Sequence, residues 1–354
     1  MILEEINEFI PFIIEESKNG SITMMNLFNI SILNILWRIV NGTRYDYRNP
    51  ELQHLTNMVN EVITSAGPKF SIAMIFPGIR KIWPNVDPFE KNCLRAKPVI
   101  DFIEKSITEH EMSFRDDQSP RDFIDMFLNE MKNTTDTNSS FHGKTGRNNL
   151  KHTLIDLFFA GSETTSSTLT WAILYLILNP DKQEKARNEI LTVIGPNRNP
   201  RLLDRTDLPY TEAMIQEIQR LGNIAPFGLP HSTLKTSVWI GDICIPKGYT
   251  IQPHFGGIMK SQKIWGQDAL EFKPERFINN DKLIKDDRVI PFSVGKRQCP
   301  GENLARAEIF LYLSTILQRL SLSQDESEAK PSVLDFVSGI TAVPMPFKTK
   351  VKVL

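Results

Sequence analysis

Cysteine is scarce: three in 354 residues, Cys93, Cys244 and Cys299, with no pair at zinc-ligand spacing. That excludes a disulfide framework and points to a reducing compartment, where a cysteine that matters works as thiol or thiolate. A dominant charge is missing too. Lys+Arg 41 against Asp+Glu 42 leaves a net charge of -1, which excludes the global basicity of a nucleic-acid binder. The start, Met1-Ile-Leu-Glu-Glu, lacks the basic end and apolar core of a signal peptide. The most apolar runs, Leu27–Val40 and Leu169–Leu178, are interrupted by polar residues or too short to span a bilayer. The Asn-x-Ser/Thr triplets at Asn133–Thr135 and Asn138–Ser140 are therefore read as incidental. There is no internal repeat. No G-x-G-x-x-G follows a strand, so no flavin or nicotinamide motif is present.

What is there is ordinary globular composition, 41% hydrophobic and 23% charged, with 22 Pro and 18 Gly for shaped loops. The period of the apolar residues predicts a mainly α fold with a small β part. Leu3, Ile6, Phe9, Ile10 and Ile13 stripe a helix over Met1–Ser17. Residues 1–132 read as further helices around a proline-rich loop. The polar stretch 133–148 reads as a surface loop, and 149–354 carries the rest. A long helix is expected from about Asn149 to Leu178, stopped by Asn179-Pro180, because proline disfavours helix at the residue before it. Helices follow at Asp181–Ile194, Thr211–Leu221 and Glu302–Leu320, and three short strands lie within Thr236–Gln252.

The densest chemistry is Pro291-Phe-Ser-Val-Gly-Lys-Arg-Gln-Cys-Pro-Gly-Glu302. Gly295 lets the chain turn and approach something flat or bulky. Cys299 precedes a helix N-terminus, whose dipole and free N–H groups favour a thiolate, either nucleophile or metal ligand. Without context a lone cysteine is more often a small buried apolar residue. In the long helix, Ala160-Gly161 lack bulk, so a planar cofactor or O2 can approach the backbone there. Glu163-Thr164 puts a carboxylate and a hydroxyl at that approach, where a helix can open by a local bulge. Glu217 and Arg220 share a helix face; on propensity alone they make a solvated pair of little worth. His231 alone would more often be a structural histidine.

The pattern Phe292-x-x-Gly295-x-Arg297-x-Cys299-x-Gly301 resembles the haem-thiolate loop of cytochromes P450. Ala160-Gly-Ser-Glu-Thr-Thr165, Glu217-Ile-Gln-Arg220 and Pro274-Glu-Arg-Phe277 resemble that family's other motifs, in order. The wording is closest to its microsomal drug- and steroid-metabolising branch. The resemblance implies a single partial cytochrome P450 domain over 1–354 that binds haem b (iron-protoporphyrin IX) and inserts one oxygen atom of O2 into a hydrophobic small molecule. It implies Cys299 as the axial iron ligand, with Phe292, Gly295 and Gly301 shaping the loop. It implies Arg297 and His231 at the haem propionates and Ala160-Gly161 against the cofactor. Thr164 would steady dioxygen while Glu163 feeds protons through water. Glu217, Arg220 and Arg276 would form a structural triad. Phe159, Ala160, Ile224, Ala225, Phe227, Leu229 and Ile340 would line the substrate pocket.

The same resemblance implies electrons from NADPH-cytochrome P450 reductase, with cytochrome b5 as a further partner, and no nucleic acid. A basic patch at Lys296 and Arg306 would dock an acidic flavoprotein. The loop Phe70–Trp83, with Ile72, Met74, Ile75, Phe76, Ile79 and Ile82, resembles the segment that makes peripheral membrane contact, placing the protein on the cytoplasmic face of the endoplasmic reticulum membrane. Family members carry an anchor, a strand-rich region and first helices before the point where this chain starts, so an N-terminally truncated chain is expected. Those missing parts include a Trp-x-x-x-Arg that holds a propionate. The rival expectations are a non-catalytic remnant that binds haem weakly, and a hydrolase or transferase using Cys299 as nucleophile. The second lacks a histidine with a recognisable partner role.

Overall fold

The computed structural model describes residues 1–65, 78–83, 89–115, 117–233 and 236–354. Nine long helices dominate them. Helix α1 (Ile2–Ser17) buries Ile6, Phe9, Ile10 and Ile13, one face at helical spacing. The two-residue strand β1 (Ile22–Thr23) leads to α2 (Asn29–Asn41) and α3 (Pro50–Ser65). Then come α4 (Phe89–Ser113) and α5 (Phe123–Asn133). Helix α6 (Gly143–Leu178) runs 36 residues and is buried on every side from Thr165 to Ile177, so it crosses the core. Proline at the first turn of α7 (Pro180–Val193) ends α6 and starts the next helix. Helix α8 (Pro209–Gly222) packs against α6; a Cβ on Gly222 would lie 3.3 Å from Trp171 Cγ.

The β part is peripheral. β2 (His231–Ser232) pairs with β5 (Thr250–Ile251), and between them β3 (Val238–Ile240) and β4 (Ile243–Ile245) form a hairpin. Hairpin β6 (Ile278–Asn279)–β7 (Lys282–Leu283) precedes α9 (Glu302–Arg319). Strand β8 (Leu320–Gln324) follows, then hairpin β9 (Phe336–Ser338)–β10 (Ala342–Pro344), then β11 (Lys348–Val353). The three-stranded sheet has the order β1-β11-β8, all antiparallel.

One expectation changes. The polar stretch is loop only over 134–142, because α6 already begins at Gly143. Its first turns are tied down by Arg147, which donates to Glu104 and Glu111 of α4 at 2.9 Å each. The three strands expected within Thr236–Gln252 are present; the first two form the hairpin, and the third, β5, pairs with β2. The apolar loop expected at the membrane lies mostly outside the described residues; of its end, Ile82 and Trp83 are exposed. Among the described residues no helix is long and apolar enough to cross a membrane.

Candidate active site

Helix α6, the end of α8 and the cysteine loop converge. A cavity of about 20 Å³ between them is lined by Thr168 and Trp171 of α6, Ile218, Gln219 and Gly222 of α8, and Pro291 and Phe292 of the loop. The loop turns through Ser293 at φ 64° and Gly295 at φ 80°, a region glycine enters without strain. Its neck is closed by the Cys299 N–H, which donates to Phe292 O at 2.9 Å. Cys299 is a half-buried free thiol two residues before Gly301, the N-cap of α9. A Cβ on Gly301 would sit 3.9 Å from Cys299 Sγ, within ordinary contact.

Three chemically distinct side chains stand without protein partners. Those of the exposed Arg297 and the half-buried His231 make no hydrogen bond or ion pair among the described residues, and the thiol of Cys299 is free. A thiol for iron and two basic side chains for carboxylates are the donor set that haem b requires. Phe227, Leu229 and Ile340 are exposed apolar side chains, and Phe159, Ile224 and Ala225 are half-buried. Apolar surface of this kind suits a macrocycle and a hydrophobic substrate. The residues present fit the group.

On α6, Glu163 is buried while Thr164 is half-buried. Burial pushes the Glu163 pKa above the ordinary carboxylate range, against hydrogen bonds from Ser167 and Thr341 that favour the charge. Its Oε1 accepts from Ser167 Oγ at 2.5 Å and from Thr341 Oγ1 at 3.0 Å. Its Oε2 is buried and has no partner among the described residues. The helix does not bulge at this point: α6 stays α-helical, and Ser162 and Thr164 donate back to Phe158 O and Ala160 O at 2.7 Å each.

At Gly161 a Cβ would lie 2.5 Å from Leu36 Cδ2, so the missing side chain lets α2 pack closely here. Arg306 donates to Glu302 Oε1 at 2.7 Å and stacks 4.8 Å from the Phe292 ring centre, bracing the loop, whereas Lys296 stands exposed without an ion pair among the described residues.

The structure brings Glu217, Arg220 and Arg276 together. Glu217 and Arg220 are fully buried; Arg220 Nε and Nη2 donate to the two Glu217 oxygens at 2.7 and 2.9 Å. Arg276 Nε and the Lys273 N–H add bonds to Oε1 at 2.9 and 3.1 Å, fixing the stretch Lys273–Arg276 onto α8.

Sequence inspection missed Thr341 and Ser167 as partners of Glu163. Ser167 lies one helical turn on and was findable by spacing. Thr341, 178 residues away, gave no local signal. It also missed Glu308 of α9, buried against α6 beside Thr165, where burial raises its pKa to about 8. Elsewhere, His110, Asp122 and Asp125 form a buried cluster of metal-ligand dimensions. There the imidazole Nδ1 faces Ser106 O at 2.7 Å and Nε2 faces Asp122 Oδ2 at 2.9 Å, while Arg121 Nε donates to Asp125 Oδ2 at 2.6 Å. Burial opposes the imidazolium, yet the Asp122 carboxylate and the Ser106 carbonyl outweigh it and raise the pKa. The cluster is a latch between α4 and α5.

Comparison with known proteins gives a match to the family model described as Cytochrome P450 over residues 1–351. The human protein named Cytochrome P450 2U1 is 35% identical over 351 residues, covering 95% of this chain and 63% of the relative. Mouse Cytochrome P450 2B19 is 36% identical over 351 residues, with 96% of this chain and 69% of the relative covered. Rat Cytochrome P450 2D3 is 34% identical over 316 residues, with 86% and 60% covered. The chain thus spans between 60% and 69% of the length of these relatives. A match over residues 1–351 takes in α1 as well as the thiol loop, and the chain belongs to the cytochrome P450 family.

Proposed function

We propose that the chain works as a haem-dependent monooxygenase: RH + O2 + two electrons + two protons gives ROH + water. The observation that carries this is the Cys299 loop, a free half-buried thiol at the mouth of α9 in a turn closed by its own N–H on Phe292 O. Haem, held through the Cys299 thiolate, would supply the oxygen chemistry. Arg297 and His231, whose side chains have no protein partner among the described residues, would hold the propionates. Glu163 holds a proton in a buried site and Thr164, half-buried beside it, orders water or O2. The Thr164 hydroxyl donates to Ala160 O, which leaves its own lone pairs to accept. Phe159, Ala160, Ile224, Ala225, Phe227, Leu229 and Ile340 orient an apolar substrate.

Electrons come from NADPH-cytochrome P450 reductase, with cytochrome b5 as a further donor. The exposed Lys296 beside the loop supports an acidic docking partner. Exposed Ile82 and Trp83 support peripheral contact with the endoplasmic reticulum membrane from its cytoplasmic side. The test is the absorption spectrum of the haem-loaded chain, reduced and bound to CO. Wild type should give the thiolate-type Soret band and Cys299→Ser should lose it. An identical band in both would remove Cys299 as ligand and the reading with it.

A further inference from the structure

Glu163 is held from two directions. Ser167 reaches its Oε1 from one turn along α6, and Thr341 reaches the same oxygen from the turn between β9 and β10. That turn is anchored at its backbone. The Gly339 N–H donates to Thr341 O at 2.9 Å and the Ile340 N–H to Ile63 O of α3 at 3.1 Å. Just beyond, the Ala342 N–H donates to Ile224 O at 2.7 Å, and Trp171 Nε1 of α6 donates to Ala342 O at 2.8 Å. Gly339 has no room for a side chain, since a Cβ would lie 2.2 Å from Ile63 O. The buried Thr341 hydroxyl is therefore carried by backbone tied to α3, α6 and the segment after α8, and a β-branched side chain has few rotamers with which to leave.

We propose that Thr341 is a positioning residue for Glu163, fixing which carboxyl oxygen carries the transferable proton. The proposal rests on the proton role of Glu163 given above. A neutral carboxylic acid has one carbonyl oxygen, which only accepts, and one hydroxyl oxygen. Two hydroxyl donors on Oε1 make it the carbonyl, so the proton resides on Oε2, the buried oxygen with no partner among the described residues. When that proton leaves, the same two donors face a carboxylate, and their bonds strengthen because the acceptor is now charged. The proton is replaced from water; no electron moves. Thr341 thus sets the orientation of the acid and how readily it ionises against the burial that disfavours its charge.

The experiment follows Glu163 directly. The chain is labelled with glutamate carrying 13C at the carboxyl carbon, the Glu163 signal is assigned with Glu163→Gln, and its titration is read in haem-loaded protein by NMR. Thr341→Val keeps the shape and removes the donor, and should move the titration midpoint upward by about 1 in pH, a tenfold change in the ionisation constant. Thr341→Ser should restore it. Ser167→Ala removes the other donor and should move it the same way, which keeps the test open if Thr341→Val folds poorly. With purified reductase, the fraction of consumed NADPH recovered as product should show the same pH displacement in Thr341→Val and its return in Thr341→Ser. A midpoint unchanged in Thr341→Val would overturn the positioning role. A displaced midpoint with product recovery indifferent to Thr341→Val and to Glu163→Gln would overturn the proton role on which it rests.

Discussion

Buried carboxylates in this molecule come in two kinds, and the contrast separates what holds the fold from what is left free to react. Glu5 and Glu217 are saturated. Glu5 takes Tyr47 Oη at 2.6 Å, Asn34 Nδ2 at 3.2 Å and Ser31 Oγ at 3.3 Å on one oxygen, and Arg44 Nε at 2.7 Å on the other. Glu217 takes two arginines and a backbone N–H. Both join elements distant in sequence. Glu163 and Glu308, on α6 and on the helix that follows Cys299, have hydroxyl partners and no cation among the described residues. A buried carboxyl bonded to arginine is fixed in an ion pair; burial pushes the pKa of one facing only hydroxyls upward, toward the protonated form.

The harshest way to break the comparison is to remove a saturated member. Glu217→Ala should leave the fully buried Arg220 without its carboxylate and Arg276 with only Asp268, 3.5 Å away, and cost about 3–5 kcal/mol. The expected result is chain that folds poorly or fails to hold haem, read by thermal unfolding and by haem content after gel filtration. A soluble Glu217→Ala protein with a wild-type midpoint would mean that the knot is worth no more than a surface pair.

The unsaturated kind should instead show itself as pH dependence. The Glu308 pKa is raised from 4.5 to about 8 by burial, against a hydrogen bond from Thr165. Between those values the folded state holds a proton that the unfolded chain has released. Its contribution to stability is therefore complete below about pH 4.5 and is lost as pH rises through about 8. Glu308→Gln mimics the neutral acid and should flatten the difference. The check is the urea midpoint of both proteins at several pH values across that window. Parallel curves would show that Glu308 titrates like an ordinary surface carboxylate.

Much of this was legible before any coordinates. The loop Phe292–Gly301, the pair Glu163-Thr164 and the Glu217/Arg220 spacing are local, so the chain order alone displays them. Helix α1 and most of α6 show through their apolar period. The start of α6 did not, because Gly143–Asn149 is polar and its helix is fixed by Arg147 pairing with α4, a tertiary event. The return of β5 to β2, Leu36 filling the gap at Gly161, and Thr341 on Glu163 depend on distant segments meeting.

The finest test applies the same contrast to two cations beside the cysteine loop. From sequence, Lys296 and Arg306 looked like one basic patch. In the structure Arg306 is engaged by Glu302 and by the Phe292 ring, and Lys296 is exposed without an ion pair among the described residues. Arg306→Gln should therefore act on the loop. It removes a half-exposed ion pair and a cation–π contact, together worth about 1 kcal/mol, and should lower the unfolding midpoint slightly. The salt dependence of electron delivery should stay as it was. Lys296→Gln should do the reverse: an unchanged midpoint, slower electron transfer from reductase at low ionic strength, and a difference that fades as salt screens the docking charge. Differential scanning calorimetry and stopped-flow reduction at several salt concentrations separate the two. If Arg306→Gln flattens the salt dependence as much as Lys296→Gln does, its guanidinium is available to a partner and the loop does not depend on it.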